Sequence, residues 1–270
     1  MEKFLLYVLK YVPRRMITEL IGWISKIENE YLQRRLINWF VKKYKVNTDE
    51  MLYSVEHYRT LYQFFIRELK PSVRTIDSKI IVAPVDGILT ECGNISNNRF
   101  ECKGEMLSIK DLVACENFLG DIQEGYFTVH YLSPSDYHWI HSPVDGEIYK
   151  VSHIRGDLYP VFDDMIAHKK DILCINERYN VFIKNDRLKI CVCMIAAMGV
   201  GNIVPSNKII QYNTVNGEVD LNKRPIEISK GEKLAYFAIG STVVLIFNNF
   251  EPDYGLKGKH LKFGHGITYL

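Results

Sequence analysis

The sequence predicts an α+β protein, with amphipathic helices at the N-terminus and then a β-rich core of sandwich or barrel-like form containing a duplicated β-unit. Three observations carry this reading. Apolar residues recur at helical spacing through the first 45 residues. From residue 80 onward the period changes to short β-like runs punctuated by Gly, Pro, Asn and Asp. Finally, Ala83-Pro84-Val85-Asp86-Gly87-Ile88 recurs as Ser142-Pro143-Val144-Asp145-Gly146-Glu147-Ile148, each copy turning on Asp-Gly before a strand.

The elements follow in order. FLLYVLKYV, residues 4–12, ends at Pro13, which restarts the helix. Met16, Ile17, Leu20, Ile21, Trp23, Ile24 and Ile27 then form one apolar stripe; Leu32, Leu36, Ile37, Phe40, Val41 and Tyr44 form another. Asn47-Thr48-Asp49-Glu50 reads as a helix start with an acidic first turn, and the helix is expected to run through Leu69 and stop before Pro71. Beyond it lie the β-like runs KIIVAPVDGILTECG, GYFTVHYLS, DGEIYKVSHI, YNVFIKN, LKICVCMIAAMGVGNIV and KLAYFAIGSTVVLIF. At 270 residues the chain is long enough to bury a full core.

The formal net charge of +2 hides an asymmetry. Residues 1–45 hold ten Lys/Arg against four Asp/Glu, leaving 24 against 28 in the remainder. Basic helices with Trp and Phe on their apolar stripes suit the interface of an anionic membrane. The basic residues Lys257, Lys259, His260 and Lys262 read as a solvated tail that adds to this attraction. No run is long enough to span a bilayer: FLLYVL, residues 4–9, falls far short of the roughly 18–20 residues required. It also lacks the small-residue cleavage site of a signal peptide. The six cysteines form no Cys-x-x-Cys pair, and Cys191 and Cys193 alternate within an apolar run. They read as free thiols packed as small hydrophobes in a reducing compartment.

One strand is interrupted in a way that asks for a reason. FAIGSTVVLIF, Phe237 to Phe247, is apolar and β-branched, yet carries Gly240-Ser241-Thr242 in its middle. Glycine weakens a strand interior, and two hydroxyls there need partners. A bulge is one explanation. A second is that Ser241 attacks the carbonyl of Gly240, whose missing Cβ leaves the backbone free to twist. A serine nucleophile needs a base and a group to orient it. Asp86 and a histidine of the loop SPSDYHWIHSPVDG, His138 or His141, offer both. The His-x-x-His pair lacks the Glu of a zincin helix, so no metal is expected. Asp145, in the second copy of the repeat, is the other aspartate of this kind. No Gly-x-Ser-x-Gly elbow is present.

The residues that settle the comparison are YRTLYQFFIRELKPSVRTID (58–77), VAPVDGILT (82–90), YLSPSDYHWIHSPVDGEI (131–148), LYPV (158–161), NER (176–178), AAMGVGNI (196–203) and KGEKLAYFAIGSTVVLIF (230–247). In this order the chain resembles the pyruvoyl-dependent phosphatidylserine decarboxylases. The resemblance implies self-cleavage between Gly240 and Ser241, with Asp86, His141 and Ser241 as the processing triad and His138 linked to substrate and decarboxylation. Ser241 would become a covalent pyruvoyl cofactor. Its ketone would form a Schiff base with phosphatidylserine, and phosphatidylethanolamine and carbon dioxide would be released.

Residues 1–45 would be the membrane-associating helices, 46–240 the bulk of the catalytic core (the β chain), and 241–270 the α chain that completes the same core. The two chains would remain associated, at the cytoplasmic face of the cell membrane, in an arrangement compatible with a homodimer and without nucleic acid. Two positions depart from the family pattern: Trp139, where a basic residue is expected, and Ile239, where leucine is frequent. The rival readings are a decarboxylase for another amino-acid head group, a β-rich lipid carrier that never cleaves, and a serine hydrolase.

Overall fold

The computed structural model describes residues 13–102, 104–161, 170–198, 203–212, 216–238 and 241–269, without the side chains of Asn117, Asp121 and Ser241. The apolar run 4–12, Ile239 and Gly240 thus lie outside the described residues. Helix α1 (Arg14–Lys26) starts directly after Pro13, as expected. Helix α2 (Glu30–Tyr44) is capped by Asn29, whose side chain accepts from the Leu32 amide, and stops at Lys45 in a left-handed conformation. Buried Gln33 ties the region together. Its Nε2 donates to the carbonyls of Ile24 and Ile27, and its Oε1 accepts from the Leu61 amide.

The two helices bury opposite kinds of residue. Helix α2 places Ile37 and Phe40 in a small core with Met51, Tyr58, Phe64 and Phe65. Helix α1 buries Thr18 and Ser25, while Met16, Leu20 and Trp23 are 67%, 53% and 65% exposed. Its apolar stripe faces away from the protein.

The single helix expected over 47–69 is not formed. Leu52 N donates to Glu68 O and Lys70 N to Glu50 O, both at 2.9 Å, so the two ends of the segment lie side by side. Between them are a 3₁₀ turn (Val55–His57) and a short helix α3 (Leu61–Phe65) capped by Thr60. A straight helix would hold Met51 and Phe65 about 21 Å apart. The doubled-back path buries both in one cluster.

The strands are β1 (Gly87–Ser96), β2 (Arg99–Cys102), β3 (Glu105–Ser108), β4 (Glu124–Leu132), β5 (Trp139–His141), β6 (Gly146–Ile154) and β7 (Arg178–Lys184), followed by β8 (Lys189–Ile195), β9 (Ile203–Pro205), β10 (Gly217–Asp220), β11 (Ile226–Ile228), β12 (Lys233–Phe237), β13 (Ser241–Phe247) and β14 (His260–Leu261). Among the described residues, eleven form one antiparallel sheet, in the order β10-β6-β7-β8-β13-β4-β1-β2-β3, with β11 also on β6 and β14 on β1. The other three form a small sheet, β5-β12-β9. Every residue from Val243 to Phe247 is fully buried. The central strands therefore read as continuous apolar runs rather than alternating ones. Cys191 and Cys193 are buried free thiols in β8, and burial pushes Cys193 up to about 12.

The duplicated unit is real down to its hydrogen bonds. Ile88 faces Tyr131 and Leu89 faces His130 before a bulge resets the register to Glu91/Val129. In the second copy, Glu147 faces Lys184 and Ile148 faces Ile183 before a bulge resets it to Lys150/Phe182. Gly87 faces Leu261, and Gly146 faces Ile228. Asp86 Oδ1 accepts from Phe263 N at 2.9 Å, and Asp145 Oδ1 accepts from Lys230 N at 2.8 Å. Gly264 N donates to Ala83 O, and Gly231 N to Ser142 O. The copies also bond each other reciprocally: Val82 N donates to Pro143 O, and His141 N to Pro84 O. These pairings relate β1, β4, β13 and β14 to β6, β7, β8 and β11 by an approximate two-fold axis between β8 and β13.

Glycine in each Asp-Gly turn is required by close approach. A Cβ on Gly87 would overlap the Tyr131 carbonyl, and one on Gly146 would overlap the Lys184 carbonyl. Gly146→Ala should therefore cost about 1–3 kcal/mol by forcing β6 away from β7. Urea denaturation checks this, and an unchanged midpoint would contradict it.

Candidate active site

The chain around residue 241 is fixed from both sides. Ser241 pairs with Leu132 of β4, and Thr242 pairs with both Tyr131 and Ile195. Upstream, Phe237 N donates to His138 O at 3.0 Å, and Tyr236 pairs with Trp139. Strand β12, which ends at Phe237, thus belongs to the small sheet, and β13, which starts at Ser241, to the large one. In the other half of the repeat, Leu188 takes the position that Ser241 takes here, and a tight turn closes it, with Asn185 N donating to Leu188 O at 3.0 Å. At the position equivalent to that turn, β4 runs out into the loop that carries His138.

Arg67 and Asp136 shape that loop. The buried Arg67 guanidinium donates through Nη2 to Ser135 O (2.7 Å) and Asp136 O (2.9 Å). Asp136 accepts from Ser133 N and also bonds His260 Nε2, each at 2.8 Å. His138 is fully buried, with Nδ1 2.8 Å from Asp136 O. Because that partner is a carbonyl, Nδ1 carries the proton and Nε2 is the bare acceptor. Burial, followed by the nearby Arg67 charge, pushes this ring down to about 3.

His141 follows the same logic. Its Nδ1 lies 2.6 Å from Gly231 O, and burial pushes the ring down to about 4. The Nε2 atoms of both histidines, and Thr242 Oγ1, are buried and have no hydrogen-bond partner among the described residues. Such orphans are costly unless something occupies the site they face.

Asp86 is 1% exposed and held by several groups. Arg74 grips it in a fork through Nε (3.1 Å) and Nη2, Phe263 N donates at 2.9 Å, and Lys262 Nζ lies at 3.4 Å. Glu50 completes the cluster, pairing with Arg74 at 2.6 Å and Lys262 at 3.7 Å. Asp86 makes no direct hydrogen bond to His141. What lies between them is Phe263, whose ring stacks on the His141 imidazole at 3.8 Å and 1°.

His138 bonds Phe237 of β12 through its carbonyl, His141 pairs with Lys233 of the same strand, and Phe263 contacts both Asp86 and His141, while Asp145 is exposed in the equivalent turn of the other copy. Sequence reasoning did not find Glu50, Arg67, Arg74, Asp136 or Phe263. Asp136 lay within the histidine loop and Arg67 and Arg74 within a matching segment, but nothing in their spacing marked them.

The basic tail is exposed, as expected, and three of its residues also have acidic partners. Lys257 pairs with Glu91 at 2.5 Å, and His260 and Lys262 bond the site's acidic groups. Trp139 donates Nε1 to Ile66 O at 3.0 Å and stacks near Tyr236. Lys233 sits over its ring at 4.1 Å, supplying a cation beside the position where a basic residue was expected.

A third buried histidine, His130, faces Val243 two residues inside β13. Its Nε2 lies 3.0 Å from Thr128 Oγ1, and burial pushes it down to about 3. Held neutral in the fold, it takes up a proton near pH 6.5 only on unfolding. Stability is therefore complete above that pH and is lost as pH falls toward 3. Between pH 7 and 5 the expected loss from this one residue is about 2 kcal/mol. Urea titrations at both pH values should show a smaller drop for His130→Gln than for the wild type; equal drops would refute the assignment.

Comparison with known proteins shows the family. The family model described as phosphatidylserine decarboxylase matches residues 61–269, and a second, described as PSD, matches residues 6–45. A phosphatidylserine decarboxylase proenzyme of Legionella pneumophila is 32% identical over 246 residues, covering 89% of this chain and 87% of its own. One of Saccharophagus degradans is 32% identical over 251 residues, covering 88% and 86%. One of Francisella philomiragia is 32% identical over 280 aligned positions, covering 100% and 99%. The chain belongs to the phosphatidylserine decarboxylase family.

Proposed function

We propose that the protein cleaves itself between Gly240 and Ser241 and then converts phosphatidylserine to phosphatidylethanolamine and carbon dioxide. The observation that supports this most is the pair of buried histidines, in and next to the strand paired with β12, whose Nε2 atoms have no partner among the described residues. With Nδ1–H committed to Gly231 O, His141 offers Nε2 to take the Ser241 hydroxyl proton. The Ser241 oxygen attacks the Gly240 carbonyl, the C–N bond breaks, and the nitrogen is protonated, leaving an ester. Loss of the Ser241 Cα proton expels the Gly240 carboxylate. The dehydroalanine tautomerises, water displaces ammonia, and a pyruvoyl group remains at position 241.

The residues present fit such a group. Thr242 Oγ1, without a partner among the described residues, carries a hydroxyl that can donate to a carbonyl oxygen there. When present, that group supplies a carbonyl electron sink for the bond broken as carbon dioxide leaves. His138, its Nδ1–H taken by Asp136 O, presents a bare Nε2 that would take up a proton and pass it to the substrate α-carbon. Two open grooves share Trp139 and Glu68, one lined by Tyr53, Tyr58 and Ile66, the other by Val204, Lys208 and Tyr236. They offer routes for a lipid head group toward His138.

Residues 1–45 serve as the membrane-docking part, 46–240 as the large chain and 241–270 as the small chain. Among the described residues no helix is long and apolar enough to cross a membrane. The outward stripe of α1 suits docking at the cytoplasmic face. Arg14–Asp157 and Arg15–Glu177 ion pairs, each 2.6 Å, hold the start of α1 on the core and so fix which way the stripe points.

The intact mass of the denatured wild type, beside Ser241→Ala, tests the central claim. Two wild-type fragments split after Gly240, with a ketone-bearing small chain and an uncut variant, are expected. A folded wild type that stays whole would overturn self-processing and favour the carrier or hydrolase readings. For docking, Leu20→Ser with Trp23→Ser should weaken flotation with anionic vesicles by at least about ten-fold, given roughly 1.5–3 kcal/mol per buried apolar side chain. Undiminished flotation would place the contact elsewhere.

A further inference from the structure

The carboxylate and imidazole expected to work as a pair are joined by a third residue. Phe263 touches Asp86 with its backbone and His141 with its ring. The backbone side is rigid: Asp77 N donates to Gly264 O, Gly264 N to Ala83 O, and Ala83 N to His265 O, at 2.8, 2.9 and 2.7 Å. The ring side is equally defined. The two ring planes differ by 1°, and the Tyr137 ring lies 5.7 Å from each. An imidazole pinned at Nδ1 by Gly231 O and covered on one face by a parallel ring cannot swing about its Cβ–Cγ bond, so Nε2 keeps one direction.

The repeat strengthens this reading. The equivalent of Phe263 in the other copy is Lys230, which makes the same backbone bond to Asp145. The equivalent of His141 is Val82. The backbone contact is thus a property of the scaffold, whereas the aromatic–imidazole stack occurs only at Phe263 and His141 and not at the equivalent pair, Lys230 and Val82.

We propose that Phe263 is a positioning residue, through which Asp86 orients His141 without a direct hydrogen bond. The inference rests on the assignment of His141 to self-cleavage. It adds that residues 241–270 supply part of the setting of their own processing site. After cleavage the small chain would still hold His141 of the large chain.

The test compares self-cleavage rates of full-length Phe263→Ala, Phe263→Leu and Phe263→Tyr, read by intact mass over time, with His141→Ala and Ser241→Ala as controls. Leucine keeps apolar bulk without a ring face; tyrosine keeps the face. The leucine variant should slow by at least about ten-fold, within the roughly 10²-fold cost of a misplaced catalytic group, while tyrosine stays near wild type. In parallel, the imidazole nitrogen resonances of His141 in Ser241→Ala should show a single Nδ1–H tautomer, and this should be lost when Phe263→Leu is added. Should the alanine variant fail to fold, the leucine and tyrosine variants still decide. A leucine variant with wild-type rate and an unchanged His141 spectrum would overturn the role of Phe263 alone. Normal cleavage by His141→Ala would instead overturn the underlying assignment, and the proposal with it.

Discussion

Strand β13 is hydrogen-bonded along both edges, to β4 from Ser241 and to β8 from Thr242. It is also buried on both faces from Val243 to Phe247. That constraint underlies the rest. A strand held in this way stays in place whether or not the peptide bond before it is intact. Breaking the chain there removes a covalent link but none of the pairs that hold β13. The short segment 238–240 joins this anchored strand to a second, smaller sheet, itself anchored by Phe237 N on His138 O. Chemistry on the joining segment is therefore structurally tolerable in a way that chemistry inside either sheet would not be.

The site can be understood as what one half of a repeated scaffold has and the other lacks. Both halves have the Asp-Gly turn, the close approach of glycine to a neighbouring carbonyl, the bulge, and the aspartate accepting a backbone amide. In one half the aspartate is exposed and the strands close in a tight turn. In the other the aspartate is buried under Arg74, the turn is replaced by the histidine loop, and Val82 of the scaffold is matched by His141. The common frame carries the stability, and the departures from it carry His138 and His141, whose Nε2 atoms have no partner among the described residues.

The N-terminal helices depart from the usual burial rule in a directed way. Helix α1 turns Thr18 and Ser25 inward and Met16, Leu20 and Trp23 outward, while its first two arginines are held by acids on the core. An apolar stripe left facing outward by a well-anchored helix is unfavourable in water and favourable at a lipid interface. The same molecule thus supports a reading in which a lipid substrate is met at the bilayer rather than extracted into solution.

Much was legible from local pattern alone. The helix restart after Pro13, the two amphipathic stripes, the β-rich core, the repeat, and the odd position of Gly240-Ser241 within an apolar strand are all local, and local sequence encodes them through periodicity and turn chemistry. The segment 47–69 was misread because its apolar spacing fits a helix, and only the aromatic cluster around Phe40 makes doubling back more favourable. The acidic partners of the exposed basic tail were not legible, because charge in sequence carries no information about a partner such as Glu91, some 166 residues away. Glu50, Arg74, Asp86 and Phe263 come together from three separate stretches of the chain, and Phe263 reads as an ordinary aromatic until its ring is seen to lie on His141. Pattern in the sequence determined which segments become helices and strands and which residues are chemically capable. Tertiary packing alone decided which of them meet, because burial and long-range pairing depend on the whole fold rather than on neighbours in the chain.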